Sequence, residues 1–234
     1  MTSLLGRWRE DTPVGMAAWV ARCVGFAETS PLKEEYLAAL ASYLAVREFE
    51  RGSPIFRQGE RSSGVWIVRS GMIELYAGTG RQKVVVQLLH PGSVDGDIQL
   101  ILEMPVPYSA RAAEPCRCLY LDRDAFERLL RDHPAVSRRW LSSVAARVSR
   151  GQERLLGILG KSLPQQIALL LLDEDSGGRV PLPQRTLASM LGVQRPSLNK
   201  VLKDLERRGL ITLGYAEVGI RDRPGLEKVA ARSR

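Results

Sequence analysis

The sequence predicts an α+β chain in three parts: an N-terminal β-jelly-roll, a long central dimerisation helix and a C-terminal winged helix-turn-helix. Three observations carry this. Residues 46–121 run as short apolar stretches broken by glycines from Gly52 to Gly96, the punctuation of a small β-sandwich or barrel. Residues 134–159 repeat apolar side chains every three or four positions. Residues 184–203, QRTLASMLGVQRPSLNKVLK, fit two short helices crossing at a tight turn. The implied boundaries are 1–133 for an arm and β-domain, 134–160 for the helix and 161–234 for the C-terminal domain.

Residues 1–20 mix Trp8, Trp19, Pro13 and Gly15 without a sustained period, which predicts a loosely packed arm. Pro31–Leu44 places Leu32, Tyr36, Leu37, Leu40 and Leu44 at helical spacing, with Ser30 as N-cap and Pro31 in the first turn. Within the β-region, Val65–Tyr76 and Lys83–Leu89 are the clearest strands, joined through Gly78-Thr79-Gly80 as a hairpin. A short helical segment after Asp122 leads to Pro134 and the long helix. Its stripe of Val136, Trp140, Val144, Val148, Leu155 and Leu159 suits a coiled-coil-like seam, so Trp140, Val144, Val148 and Leu155 are the candidate dimer interface. The competing reading is a helix lying on its own domain. Ile167–Leu172 opens the C-terminal domain, Asp175–Gly178 makes a turn, and Thr212–Ile220 forms a small wing after Gly209.

The two short helices are the most specific signal. Leu187, Ala188 and Leu191 line one face of the first, and Val193, Leu198, Val201 and Leu202 seat the second against it. Gly192 supplies the turn. An ordinary helical hairpin explains that pattern but not the polar set left over. Gln194, Arg195, Pro196, Ser197, Asn199 and Lys200 crowd the start and free face of the second helix, where a recognition helix meets bases and phosphates. Arg185, flanking the turn, suits a phosphate.

The net charge of +8 favours a polyanionic partner, and residues 161–234 carry 13 Lys and Arg against 8 Asp and Glu. No run approaches the ~18 apolar residues of a membrane span, and the start lacks a signal core, so a cytoplasmic protein is expected. Cys23, Cys116 and Cys118 are too few and too odd in number for a disulfide framework. Cys116 and Cys118 alternate on a presumed strand, which aims both thiols to one side; core packing is the plainer role, and a redox- or metal-responsive site is the alternative. No metal is otherwise expected. A cupin-like enzyme needs clustered histidines, whereas the chain has only His90 and His133, so no catalysis is expected.

This order of parts resembles the family of the cyclic AMP receptor protein and the fumarate and nitrate reduction regulator, the Crp/Fnr family. Gln58-Gly59-Glu60, Val68–Gly71, the stretch from Pro91-Gly92 to Gly96-Asp97, Arg185–Lys203 and Leu205–Ile211 carry the likeness, which runs from about Leu40 to Val229. It implies a cyclic-nucleotide-binding-like β-domain in a homodimeric, DNA-binding transcription regulator. Its recognition helices would enter successive major grooves about 34 Å apart on a near-palindromic double-stranded site. RNA polymerase and a small-molecule effector are the further partners implied. Gly96, Asp97, Arg111 and Ser149 are the effector pocket in that likeness. In the family's nucleotide binders an arginine and a small hydroxyl residue follow about ten residues after a glycine-glutamate pair. Here Gly96-Asp97 is followed by Val106 and Pro107, so cyclic AMP is not expected to bind in the usual way, and an effector-independent regulator stays open. In the recognition helix Arg195 keeps the guanine-reading position, Pro196 replaces the usual glutamate, and Lys200 replaces a more common arginine.

Overall fold

The computed structural model describes residues 12–25, 32–79, 83–158 and 160–231, without the side chains of 154–158. They divide into two compact units, one of residues up to 77 with 86–151, the other of residues 78–85 with those from 152 onward. Most of the long helix therefore packs with the β-domain rather than standing apart from it.

The first unit opens with α1 (Pro13–Cys23), which Thr12 caps by accepting the Gly15 N–H at 3.1 Å. Ala17 and Val20 on it are fully buried, so from residue 12 the expected loose arm is a docked helix. Its short apolar face gave too few repeats to reveal a period. Arg139 holds the other end, donating from Nη1 to the Ala21 carbonyl at 2.9 Å where helical carbonyls lack partners. Helix α2 (Glu34–Tyr43) starts three residues later than the sequence suggests, with Lys33 at the cap; Ser30 and Pro31 lie outside the described residues.

Among the described residues, eight strands follow: β1 (Ala45–Phe49), β2 (Pro54–Phe56), β3 (Gly64–Ser70), β4 (Ile73–Ala77), β5 (Val84–Leu89), β6 (Val94–Asp95), then after α3 (Asp97–Ile101) β7 (Ser109–Ala112) and β8 (Cys116–Asp122). They form two four-stranded sheets, ordered β1-β8-β3-β6 and β2-β7-β4-β5. The expected single strand Val65–Tyr76 is two strands in different sheets. The corner is Gly71, at φ +77°, where a Cβ would lie 2.3 Å from the Pro115 carbonyl oxygen. Only glycine tolerates both the dihedral and that approach. The predicted β4–β5 neighbourhood is present, while Gly80 lies outside the described residues.

Strand β3 shows how the core divides. Val65 and Ile67 face one cluster with Val20, Leu40, Phe126 and Trp140, under the helices; Trp66 and Val68 face the other, between the sheets, with Ile73, Leu75, Cys116 and Cys118. Burial on both faces explains why Val65–Val68 reads as an unbroken apolar run. Helix α4 (Arg123–Asp132), capped by Asp122 Oδ1 accepting the Ala125 N–H at 2.7 Å, leads into α5 (Pro134–Ile158).

The second unit contains α6 (Leu163–Asp173), β9 (Arg179–Val180), α7 (Gln184–Met190), α8 (Arg195–Arg207), β10 (Ile211–Leu213), β11 (Val218–Ile220) and α9 (Arg223–Ala231). The sheet order β10-β11-β9 gives the expected wing a third strand, and α9 buries Leu226 and Val229. Among the described residues, no helix is long and apolar enough to cross a membrane.

Candidate functional site

The turn between α7 and α8 is built as its residues predict. Ala188 is 4 % exposed and its carbonyl accepts the Val193 N–H at 3.0 Å, closing a reversal that Gly192 makes at φ +63°. Leu187 on α7 and Leu198, Leu202 and Leu205 on α8 are buried, which fixes the rotation of α8. Gln194 stands at its N-cap, and Pro196 sits in the first turn, where a missing N–H leaves no helical bond unmade. Gln194, Arg195, Pro196, Ser197 and Lys200 are consequently exposed together, with Arg185 exposed on α7. Asn199 is half-buried, its Oδ1 enclosed and without a partner among the described residues. Arg185, Arg195 and Lys200 likewise have no ion-pair partner among the described residues, whereas Arg207 and Arg208 at the far end of α8 both pair with Asp204.

The wing is tied to this helix. Glu206 Oε1 on α8 accepts the Leu213 N–H of β10 at 2.9 Å, and the hairpin beyond carries Tyr215 fully in solvent. Sequence reading missed Tyr215. An aromatic residue in a glycine-containing hairpin tip was the available signal.

The expected effector residues do not come together. Asp97 is 1 % exposed and already occupied: Trp140 Nε1 donates to its Oδ2 at 2.7 Å, and Arg147 forms an ion pair with the same oxygen. Arg147 also donates to the Val94 carbonyl at 2.7 Å, so α5 is clamped to the end of β6 and the start of α3. Arg111 lies on β7 in the other sheet, opposite Glu74 of β4, with its Nε 3.1 Å from Glu74 Oε1 and its guanidinium over Tyr76. Ser149 is exposed on α5. Two α5 residues reach Asp97, Trp140 and the cation Arg147, and Arg147 is not among the residues that the sequence singles out.

The same geometry corrects the expected dimer face. Trp140 is 1 % exposed, packed edge-on to Phe126 at 5.0 Å and bonded to Asp97, so it belongs to the core of its own unit. Val144 is half-buried against that core. Val148 remains exposed, now in line with Leu141 and Ala145, and the Leu155 side chain lies outside the described set.

Next to Asp97, Asp95 is buried, with Tyr108 donating to its Oδ1 at 2.7 Å. Burial pushes its carboxyl up to about 6, against the opposing pull of the Tyr108 hydrogen bond. Cys116 and Cys118 do face one side, but it is the core between the sheets. Desolvation raises both thiols, Cys118 to about 12, which keeps them protonated and poorly nucleophilic.

Residues 46–133 match the family of cyclic nucleotide-binding domains, and residues 165–229 match the Crp-like helix-turn-helix domain. The chain is 55 % identical over 221 residues to the HTH-type transcriptional regulator Cmr of Mycobacterium tuberculosis, covering 94 % of this chain and 91 % of that one. It is 30 % identical to the cyclic AMP receptor protein of Thermus thermophilus, covering 85 % of this chain and 94 % of the relative. Its fold is similar to that of FixK2 from Bradyrhizobium japonicum, with a TM-score of 0.70 at 18 % identity over 82 % of this chain and 99 % of the other.

Proposed function

We propose, from the premise that this chain belongs to the Crp/Fnr family of transcription regulators, that it acts as a homodimer whose paired recognition helices read a near-palindromic DNA site. It is a DNA-binding regulator of transcription. The observation that carries the finer reading is the exposed, unpaired cationic start of α8, held at a set rotation by Leu198, Leu202 and Leu205. Arg195 is the base reader, suited to grip guanine O6 and N7 with both arms of its guanidinium. Lys200 and Arg185 bind phosphates, with Gln194, Ser197 and Asn199 completing the polar face, and Pro196 shapes the start of α8 without a side-chain hydrogen bond.

A second copy of the chain joins along α5 through Leu141, Ala145 and Val148, a stripe at coiled-coil spacing beside the face that is spent on the β-unit. In this reading the protein works in the cytoplasm with RNA polymerase as a further partner. Cyclic AMP in the usual pose is not the effector favoured. Val106 and Pro107 stand about where a phosphate-gripping arginine and hydroxyl residue are expected, Arg111 is tied to Glu74, and Asp97 already serves Trp140 and Arg147. The burial of Cys116 and Cys118 likewise argues for packing over thiol sensing.

Selection of randomised duplexes tests the assignment. The wild type returns a two-fold-related motif, and Arg195→Ala flattens preference at one base pair of each half-site while costing roughly 1–3 kcal/mol on the best sequence. An unchanged base profile in that variant removes Arg195 as the reader.

A further inference from the structure

Two buried carboxylates and a single guanidinium meet where α5 crosses the β-unit. Asp95 closes β6 and Asp97 opens α3, with one glycine between them. Arg147 reaches them from α5, spending its two terminal nitrogens on the Val94 carbonyl and Asp97. Two polar atoms are left over. Asp95 Oδ2 and Arg147 Nε are both enclosed, and neither has a hydrogen-bond partner among the described residues. The groups facing Asp95 are Tyr108, which donates to Oδ1, Asp97 with its like charge, the backbone N–H of Gly96, and Arg147. Across the strand pair from β3 stands the uncharged Trp66.

We propose that Asp95, Asp97 and Arg147 form a proton-responsive clamp between the β-unit and α5, in which the proton on Asp95 decides how Arg147 divides its hydrogen bonds. With Asp95 neutral, one guanidinium serves one carboxylate and the clamp on Asp97 and Val94 is undivided. When Asp95 ionises, its bare Oδ2 becomes an anion in a desolvated place beside a second carboxylate. Tyr108 and the Gly96 N–H already serve this carboxyl, so the Nε–H of Arg147 is the unmatched donor that can answer the new charge, and turning toward Asp95 draws Arg147 from Asp97 and Val94. The change falls within the ordinary pH range because burial and the neighbouring charge oppose the Tyr108 hydrogen bond, leaving the carboxyl near 6. Helix α5 runs on beyond Gly151 to Ile158, so a changed grip at Arg147 acts on the element shared by both units.

The test uses the intact chain without DNA, so its result is separate from the reading of α8. Carboxyl-carbon NMR across about pH 4.5 to 8, with Asp95→Asn for assignment, gives the titration of Asp95. Hydrogen exchange of the α5 amides, corrected for intrinsic rates, gives the state of the clamp. The expected result is an Asp95 midpoint near 6, with α5 protection changing at the same midpoint. The change in protection is up to about tenfold for each pKa unit relieved on opening. Asp95→Asn abolishes the pH response, and Tyr108→Phe moves the midpoint upward because the carboxylate loses a donor. Three results overturn the proposal: an Asp95 midpoint in the ordinary carboxylate range, an α5 response that survives Asp95→Asn, or a midpoint that Tyr108→Phe leaves in place or lowers.

Discussion

Replacing Asp97 by alanine removes an acceptor that two side chains share, and the structure sets the expected cost. Trp140 is 1 % exposed, so its indole N–H has no route to water once Oδ2 is gone. An orphaned buried donor costs roughly 1–3 kcal/mol. Arg147 loses its ion pair, and breaking a fully buried pair costs roughly 3–5 kcal/mol. Its side chain, however, is 20 % exposed, so water recovers part of that penalty. The two losses share one carboxylate and do not add in full. A total of about 4 kcal/mol follows, a large part of the ~5–15 kcal/mol that stabilises a domain. At a urea dependence of about 2 kcal/mol per molar, the midpoint falls by roughly 2 M. All four tryptophans, Trp8, Trp19, Trp66 and Trp140, precede residue 141, so indole emission follows the first unit without interference from the second. Asp97→Ala/Arg147→Met should recover at least about 1.5 kcal/mol relative to Asp97→Ala, because the stranded charge leaves with its partner. A loss below about 1 kcal/mol in the single variant, or no recovery in the double, would refute the idea that this carboxylate anchors α5.

Lys200→Ala should weaken binding to all duplexes alike and reduce the slope of log affinity against log salt by about one, in contrast to the base-selective loss at Arg195; fluorescence anisotropy at several salt concentrations separates them. Leu141→Glu with Val148→Glu places like charges on the exposed face of α5 without touching the core around Trp140, so light scattering should report a monomer with a folded β-unit. Asp95→Asn should change stability in a pH-dependent way. The folded chain holds the Asp95 proton more tightly than the unfolded chain, so the contribution of Asp95 to stability is most favourable below the ordinary carboxylate range and is lost as pH rises through about 6. The variant lacks that loss, and its unfolding free energy from urea titration should exceed the wild type's at about pH 8, by up to ~3 kcal/mol, and match it near pH 4.

What the sequence alone determined is the structure made by near neighbours. The crossing of α7 and α8 rests on Leu187, Ala188, Gly192 and Leu198, all within a dozen residues, so spacing predicts both the turn and the face left outside. The long helix and the glycine-punctuated strands are legible for the same reason. Tertiary structure decided which way those elements face and what their polar groups meet. The stripe through Val136, Trp140 and Val144 and the stripe through Leu141, Ala145 and Val148 lie about 100° apart on one helix, and both are apolar enough for burial. The Phe126 ring and the Asp97 carboxylate, arriving from other elements, assign the first to the core, while the second stays exposed. Gly71 divides one apparent strand into two because Pro115 and Cys116 lie against it. Asp97 and Arg147 are 50 residues apart, Glu74 and Arg111 are 37, and no local period records such pairs. Periodicity reports what a segment does with itself, whereas the charge partner of a buried carboxylate is chosen by chain closure over distances that leave no repeat in the sequence.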